Sequence, residues 1–105
     1  MTVVEVIDGS CGFRTRIVVR MENSAIVRLT VSSECDAVAR WGLGVDLVEW
    51  RECLGKRPFE SHLWRSAMET LPHRSCPVLT AVLRAIETEI GATKPAEVAI
   101  RFLPA

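Results

Sequence analysis

The chain has 105 residues, the size of one domain, and thirteen Lys+Arg balance thirteen Asp+Glu to a formal net charge of zero. That balance argues against a nonspecific nucleic-acid binder, which needs a basic excess to displace counterions. Hydrophobic residues make up 49% and charged residues 25%, the proportions of a folded globular chain rather than a disordered one. No apolar run approaches the roughly 18–20 residues of a membrane span. The segment Met1–Asp8 lacks the basic region and small-residue cleavage site of a signal peptide. A soluble cytoplasmic protein is expected.

Thr2–Ile7 is short and β-branched and reads as a first strand, ended by the turn residues Asp8-Gly9-Ser10. Cys11-Gly12 follows in that loop. Phe13–Arg20 alternates, with Phe13, Thr15, Ile17 and Val19 on one face and Arg14, Arg16, Val18 and Arg20 on the other. Glu22-Asn23-Ser24 makes a hairpin turn, and Ala25–Ser32 continues the alternation with Val27, Leu29 and Val31 inward. Three antiparallel strands with one apolar face require a covering layer.

Ser32–Asp36 is rich in capping residues and leads into a helix over Ala37–Trp41, which Gly42 and Gly44 interrupt. A second amphipathic piece runs from Val45 to Cys53, a loop covers Leu54–Pro58, and Glu60–Thr70 reads as helix, ended by Leu71–Ser75. The longest helix begins at Cys76. It carries the stripe Val78, Leu79, Val82, Leu83, Ile86 and Ile90, with Pro77 at its start and Gly91 at its end. Glu97–Leu103 then alternates Val98, Ile100 and Phe102 against Ala99 and Arg101, the pattern of a last strand. The expected fold is one α+β domain over residues 1–105: a small antiparallel sheet, made of a three-stranded meander plus a C-terminal strand, covered on one face by helices. Trp41, Trp50 and Trp64 fall where helices meet the sheet.

Four cysteines, Cys11, Cys35, Cys53 and Cys76, are many for a domain that can fold without staples. In a reducing compartment they suggest metal or redox chemistry rather than disulfides. In an antiparallel meander the start of the second strand and the end of the third share one edge, so Cys11 and Cys35 should approach each other. Cys35 and Cys76 stand at helix entrances, where unpaired N–H groups favour a thiolate. Converging thiolates suit Zn²⁺ or an iron–sulfur cluster. The spacings of 24, 18 and 23 match no zinc-finger or ferredoxin template. Free cysteines also serve as small buried hydrophobes, a reading that suits Cys53, after Trp50, best.

Cys11-Gly12 before a strand, a hairpin, Cys35 at a helix entrance, and Leu71-Pro72 shortly before Cys76 on a long helix together resemble the IscU/NifU-type iron–sulfur scaffolds. That resemblance implies an IscU-like fold and a [2Fe–2S] cluster or zinc ion held by three cysteines and a histidine. Ser75-Cys76-Pro77, with four spaced cysteines, also resembles the TSCPD domain found at the end of some ribonucleotide reductases. The chain is further similar to small four-cysteine proteins of anaerobic bacteria and archaea. It departs from the scaffold pattern at Phe13, where the scaffolds carry an Asp that assists cluster release, and at Ser75, where they carry the histidine. Cys11, Cys35, Cys53 and Cys76 are therefore the expected ligands, with His73 as a further or substitute donor. Ser10, Gly12 and Ser75, which flank the cysteines, are the expected contacts to a cluster. An iron–sulfur cluster is preferred to zinc.

The expected role is cluster scaffold, carrier or redox accessory to a larger redox or cluster-dependent enzyme, with no nucleic-acid or membrane partner and the oligomeric state left open. His62 has a weaker claim as a ligand. Eleven of the thirteen basic residues are Arg, and Arg14, Arg16, Arg20, Arg28 and Arg101 are expected on the outer sheet face. This gives a second reading, an interaction module with reduced structural cysteines and an Arg-rich docking face. A third is a thiol/disulfide protein using Cys11 and Cys35. No nucleotide, hydrolase or zincin motif is present, so an enzyme is not expected.

Overall fold

The computed structural model describes residues 1–8 and 10–105. Gly9, read above as part of the turn after the first strand, lies outside the described residues. Strands β1 (Thr2–Ile7), β2 (Arg14–Met21) and β3 (Ile26–Ser33) form the antiparallel meander that their alternation requires. Thr15, Ile17 and Val19 of β2 and Val27 and Leu29 of β3 are buried on one face, while Arg14, Arg16 and Arg20 are exposed on the other. Asn23 fixes the β2–β3 hairpin, its Oδ1 accepting the N–H groups of Ala25 and Ile26 at 2.9 Å each.

Four α-helices follow: α1 (Asp36–Gly44), α2 (Trp50–Gly55), α3 (His62–Thr70) and α4 (Val78–Glu89). They cover the apolar sheet face. Val38 and Trp41 of α1, Leu63 and Ala67 of α3, and Val78, Val82, Ala85 and Ile86 of α4 complete the core with the strands. The Trp41 indole reaches out of this layer to donate to the Ser66 hydroxyl at 3.0 Å, which satisfies its one buried polar group. The end of α4 is tied to the start of β1. Glu89 accepts the Thr2 hydroxyl at 2.7 Å and pairs with the Met1 ammonium at 3.3 Å. Among the described residues no helix is long and apolar enough to cross a membrane.

The α+β class and the one-sided helical cover are those expected, but the fourth strand is a different one. It is β4 (Leu47–Glu49), paired with Ile26–Arg28 inside the segment read as a single amphipathic piece. Leu29 N–H donating to Asp46 O at 2.8 Å, and Trp50 N–H to Ala25 O at 3.1 Å, hold it on the β3 edge. Three residues are too few for a period-2 signal to stand out. Glu97–Leu103, by contrast, forms no strand, and every residue from 94 to 105 is exposed. Arg101 consequently does not join the outer sheet face.

Gly42 also differs from expectation. It does not interrupt α1 but lies within it, buried against β3. A Cβ there would stand 2.6 Å from Val31 Cβ, inside any real carbon–carbon contact. The missing side chain is what lets α1 sit down on β3. Gly44, at the end of the same helix, has open space around it. Gly42→Ala is expected to cost about 1–3 kcal/mol by overpacking, a fall in Tm of roughly 4–8 °C per kcal/mol. Gly44→Ala, measured by the same thermal melt, should leave Tm unchanged or raise it.

Candidate functional site

The β2–β3 register sets Thr15 opposite Ser33, and the β1–β2 register sets Ile7 opposite Arg14. The β1–β2 loop and the exit of β3 therefore emerge at one end of the sheet, and Cys11 and Cys35 with them. Cys35 is pinned there. Its N–H donates to the Ser33 hydroxyl at 3.1 Å, and that hydroxyl shares a 2.7 Å hydrogen bond with Thr15 Oγ1. The Glu34 carboxylate accepts the Arg14 N–H at 2.7 Å, and Glu34 N–H donates to Arg14 O at 3.1 Å. Cys35 O then receives the Ala39 N–H at 3.0 Å, the first turn of α1.

The Cys11 loop is closed by Asp8. Gly12 N–H donates to Asp8 O at 2.7 Å, with Gly12 at φ +74°, a left-handed conformation suited to glycine. The Asp8 carboxylate accepts both the N–H and the hydroxyl of Ser10, at 2.9 and 2.7 Å. The Cys11 thiol itself lies 3.9 Å from Asp8 O. From the far side of the chain, Cys76 precedes α4, and its N–H donates to His73 O at 3.3 Å.

These segments enclose one small cavity of about 20 Å³, lined by Asp8, Cys11, Cys35, His73 and Cys76 with walls from Val6, Phe13, Val38 and Val78. That is room for roughly one water-sized occupant. Cys11 is exposed, Cys35 and Cys76 half-buried. Hydrogen bonds from Ser10 hold the Asp8 carboxyl below its ordinary range, and the nearby His73 and Cys11 add to this. Burial pushes the Cys76 thiol up, and the negative charge of Asp8 and of the neighbouring thiols works in the same direction; the Val78 N–H offsets this only in part. The expectation that a helix entrance would favour a thiolate is thus overturned at Cys76, where burial and like charge outweigh the helix N–H.

Cys53 is elsewhere. It lies in α2, entered from β4 beside the β2–β3 hairpin, at the end of β3 remote from Cys35. It is 3% exposed in the core, and burial, with Glu52 and Glu49 nearby, pushes its thiol up to about 12. Three of the four expected ligands come together and Cys53 does not join them, behaving as a small hydrophobe. Of the other expected contacts, His73 lines the cavity, whereas Ser10 is engaged by Asp8, Gly12 serves the turn and Ser75 is exposed beside the site. His62 sits on α3, its ring 3.4 Å from Gly44 O.

Sequence reasoning missed Asp8 and Phe13 as lining residues. The available signal for Asp8 was its position three residues before Cys11 across a turn, which folds its carboxylate back toward the thiol. Among the described residues, no three His, Cys, Asp or Glu side chains stand close enough to grip an ion as they lie. The donor set fits a soft cation in kind. In spacing, as it lies, it does not; Cys11 and His73 are the donors exposed on loops.

The fold and this rim define a small α+β domain with a thiol-lined cavity at one end of its sheet. Residues 2–102 match the model of a family described as a family of unknown function, DUF6951, and the chain belongs to that family. No curated protein and no solved structure matches it.

Thiol reactivity checks this layout. With a thiol-specific disulfide reagent at pH 8, Cys11 is expected to react fastest, Cys76 more slowly, and Cys53 only on unfolding. The raised thiols also set a pH dependence. Their protonated forms stabilise the fold fully below the unfolded thiol pKa of about 8.5. That stability is lost as pH rises toward the folded value, about 12 for Cys53. Melting temperature should fall above about pH 9, less steeply in Cys53→Ala.

Proposed function

We propose that the protein binds a thiophilic metal at this rim, as an iron–sulfur cluster or a zinc ion, with Cys11, Cys35 and Cys76 as thiolate donors and His73 as the fourth. The observation that carries this reading is the single cavity that three cysteines from three remote segments line together with His73 and Asp8. Three thiols and an imidazole are the donors that the resembled scaffold family uses, and thiolate with imidazole suits zinc and iron. Asp8, ionised over the physiological range, adds negative charge that favours a cation. Phe13, Val6, Val38 and Val78 supply an apolar wall that lowers the local dielectric.

Cys35 and Cys76 form the fixed half of the site and the Cys11 loop and His73 the closing half. As the donors lie they grip no ion, so a zinc ion requires Cys11 and His73 to close on it, and a cluster requires more room than the present cavity of about 20 Å³. A cluster held there would remain near solvent, suited to storage or to delivery to a larger redox or cluster-dependent enzyme. Because each thiol must lose its proton to bind metal, and Cys76 holds its proton firmly, affinity should rise with pH between about 6.5 and 8.5.

The test is anaerobic loading with ferrous iron and sulfide, and separately with zinc, read by absorbance and metal analysis. The intact chain and Cys53→Ala are expected to retain metal in stoichiometric amount. Cys11→Ser, Cys35→Ser and Cys76→Ser should each lose about tenfold or more in affinity. Failure of the intact chain to hold iron or zinc, with four free thiols, would sink the proposal, as would equal loss in Cys53→Ala.

A further inference from the structure

The segment after α4 is the largest feature that the rim site does not use. Every residue from 94 to 105 is exposed, and none enters a backbone hydrogen bond among the described residues. Its composition is nevertheless that of a half-buried strand. Val98, Ile100 and Phe102 recur at period 2, and they are 61%, 82% and 98% exposed. An apolar row of this length left in water marks a surface that is covered by something.

The path of the tail is set where it leaves the helix. Gly91, at φ +80°, donates its N–H to Thr88 O at 3.1 Å, and the Ala92 and Thr93 N–H groups both return to Glu87 O, at 2.9 and 3.3 Å. This closed helix end, followed by Pro95, stops the helix and leaves the chain beyond it exposed. The molecule measures 45 Å along its longest axis against 28 and 25 Å across. Among the described residues the tail pairs with no strand of its own chain, β1 included.

β1 is the counterpart it lacks. It is the end strand of the sheet, and its outer side pairs with no described residue. Six residues of β1 and the six from Val98 to Leu103 have equal extended length, about 20 Å. One parallel register matches them throughout. With Arg101 beside Glu5, the residues Val98, Ile100 and Phe102 continue the inner face of Thr2, Val4 and Val6. Leu103 then lies beside Ile7, itself 58% exposed. Glu5, already opposite Arg16 of β2, would stand between two arginines.

We propose that the tail of each chain adds as a fifth strand to the β1 edge of a second copy, so that two chains exchange tails in a symmetric dimer. The exchange buries both apolar rows and leaves neither β1 edge open. It is independent of the metal reading.

Sedimentation equilibrium of the intact chain should return twice the chain mass. The double variant Ile100→Asp/Phe102→Asp, whose sites lie outside the core, should stay folded, keeping its helical circular dichroism and a cooperative melt at a lower temperature that no longer depends on concentration, while its mass falls twofold. Arg101→Glu should weaken the dimer, and adding Glu5→Arg should restore it. The proposal is overturned if the intact chain is monomeric up to its solubility limit. A dimer indifferent to Ile100→Asp/Phe102→Asp would overturn it equally.

Discussion

The antiparallel register of β1, β2 and β3 is the constraint on which the rest depends. Because Thr15 lies opposite Ser33 and Ile7 opposite Arg14, two cysteines 24 positions apart in sequence emerge at the same end of the sheet. A one-residue slip of β3 would turn Val27 and Leu29 to solvent and bury Arg28. The hydrophobic effect that fixes the core therefore also fixes the thiol site. The Thr15–Ser33 hydrogen bond, with Ser33 in turn holding the Cys35 N–H, carries that register directly into the site.

The helical layer supplies the third thiol by a separate route. α4 crosses the sheet with Val78, Val82 and Ile86 in the core and its far end tied to β1 through Glu89 and Thr2. This orientation puts its start, and hence Cys76, at the rim. Close packing of α1 on β3 at Gly42 brings Val38 into the cavity wall beside Cys35. The rim is thus half-buried on the side of Cys35 and Cys76 and exposed on the side of Cys11 and His73.

Much of the fold was legible because its signals are periodic. The β-branched run Thr2–Ile7, ended by turn residues, marks the first strand to the residue, Phe13–Arg20 alternates as the second, and the stripe from Val78 to Ile90 marks the longest helix. The short β4 was not legible, since three residues carry no period and only Val48 among them enters the core. Gly42 misled because a helix interior normally disfavours glycine; only the contact with Val31 explains it. Glu97–Leu103 reads as a strand by the same alternation that succeeded in β2, but pattern shows a strand's faces and not its neighbour. In the site, the approach of Cys11 to Cys35 followed from hairpin geometry. The exclusion of Cys53 and the inclusion of Asp8 depended on β4 and on a turn that spacing alone does not reveal.

Counting the atoms around a bound metal tests the thiol rim most directly. X-ray absorption of the zinc-loaded chain should show about three sulfur neighbours near 2.3 Å and one lighter nitrogen or oxygen neighbour near 2.0–2.1 Å. A shell made only of light atoms would contradict it. So would a fourth sulfur that persists in the intact chain and disappears in Cys53→Ala.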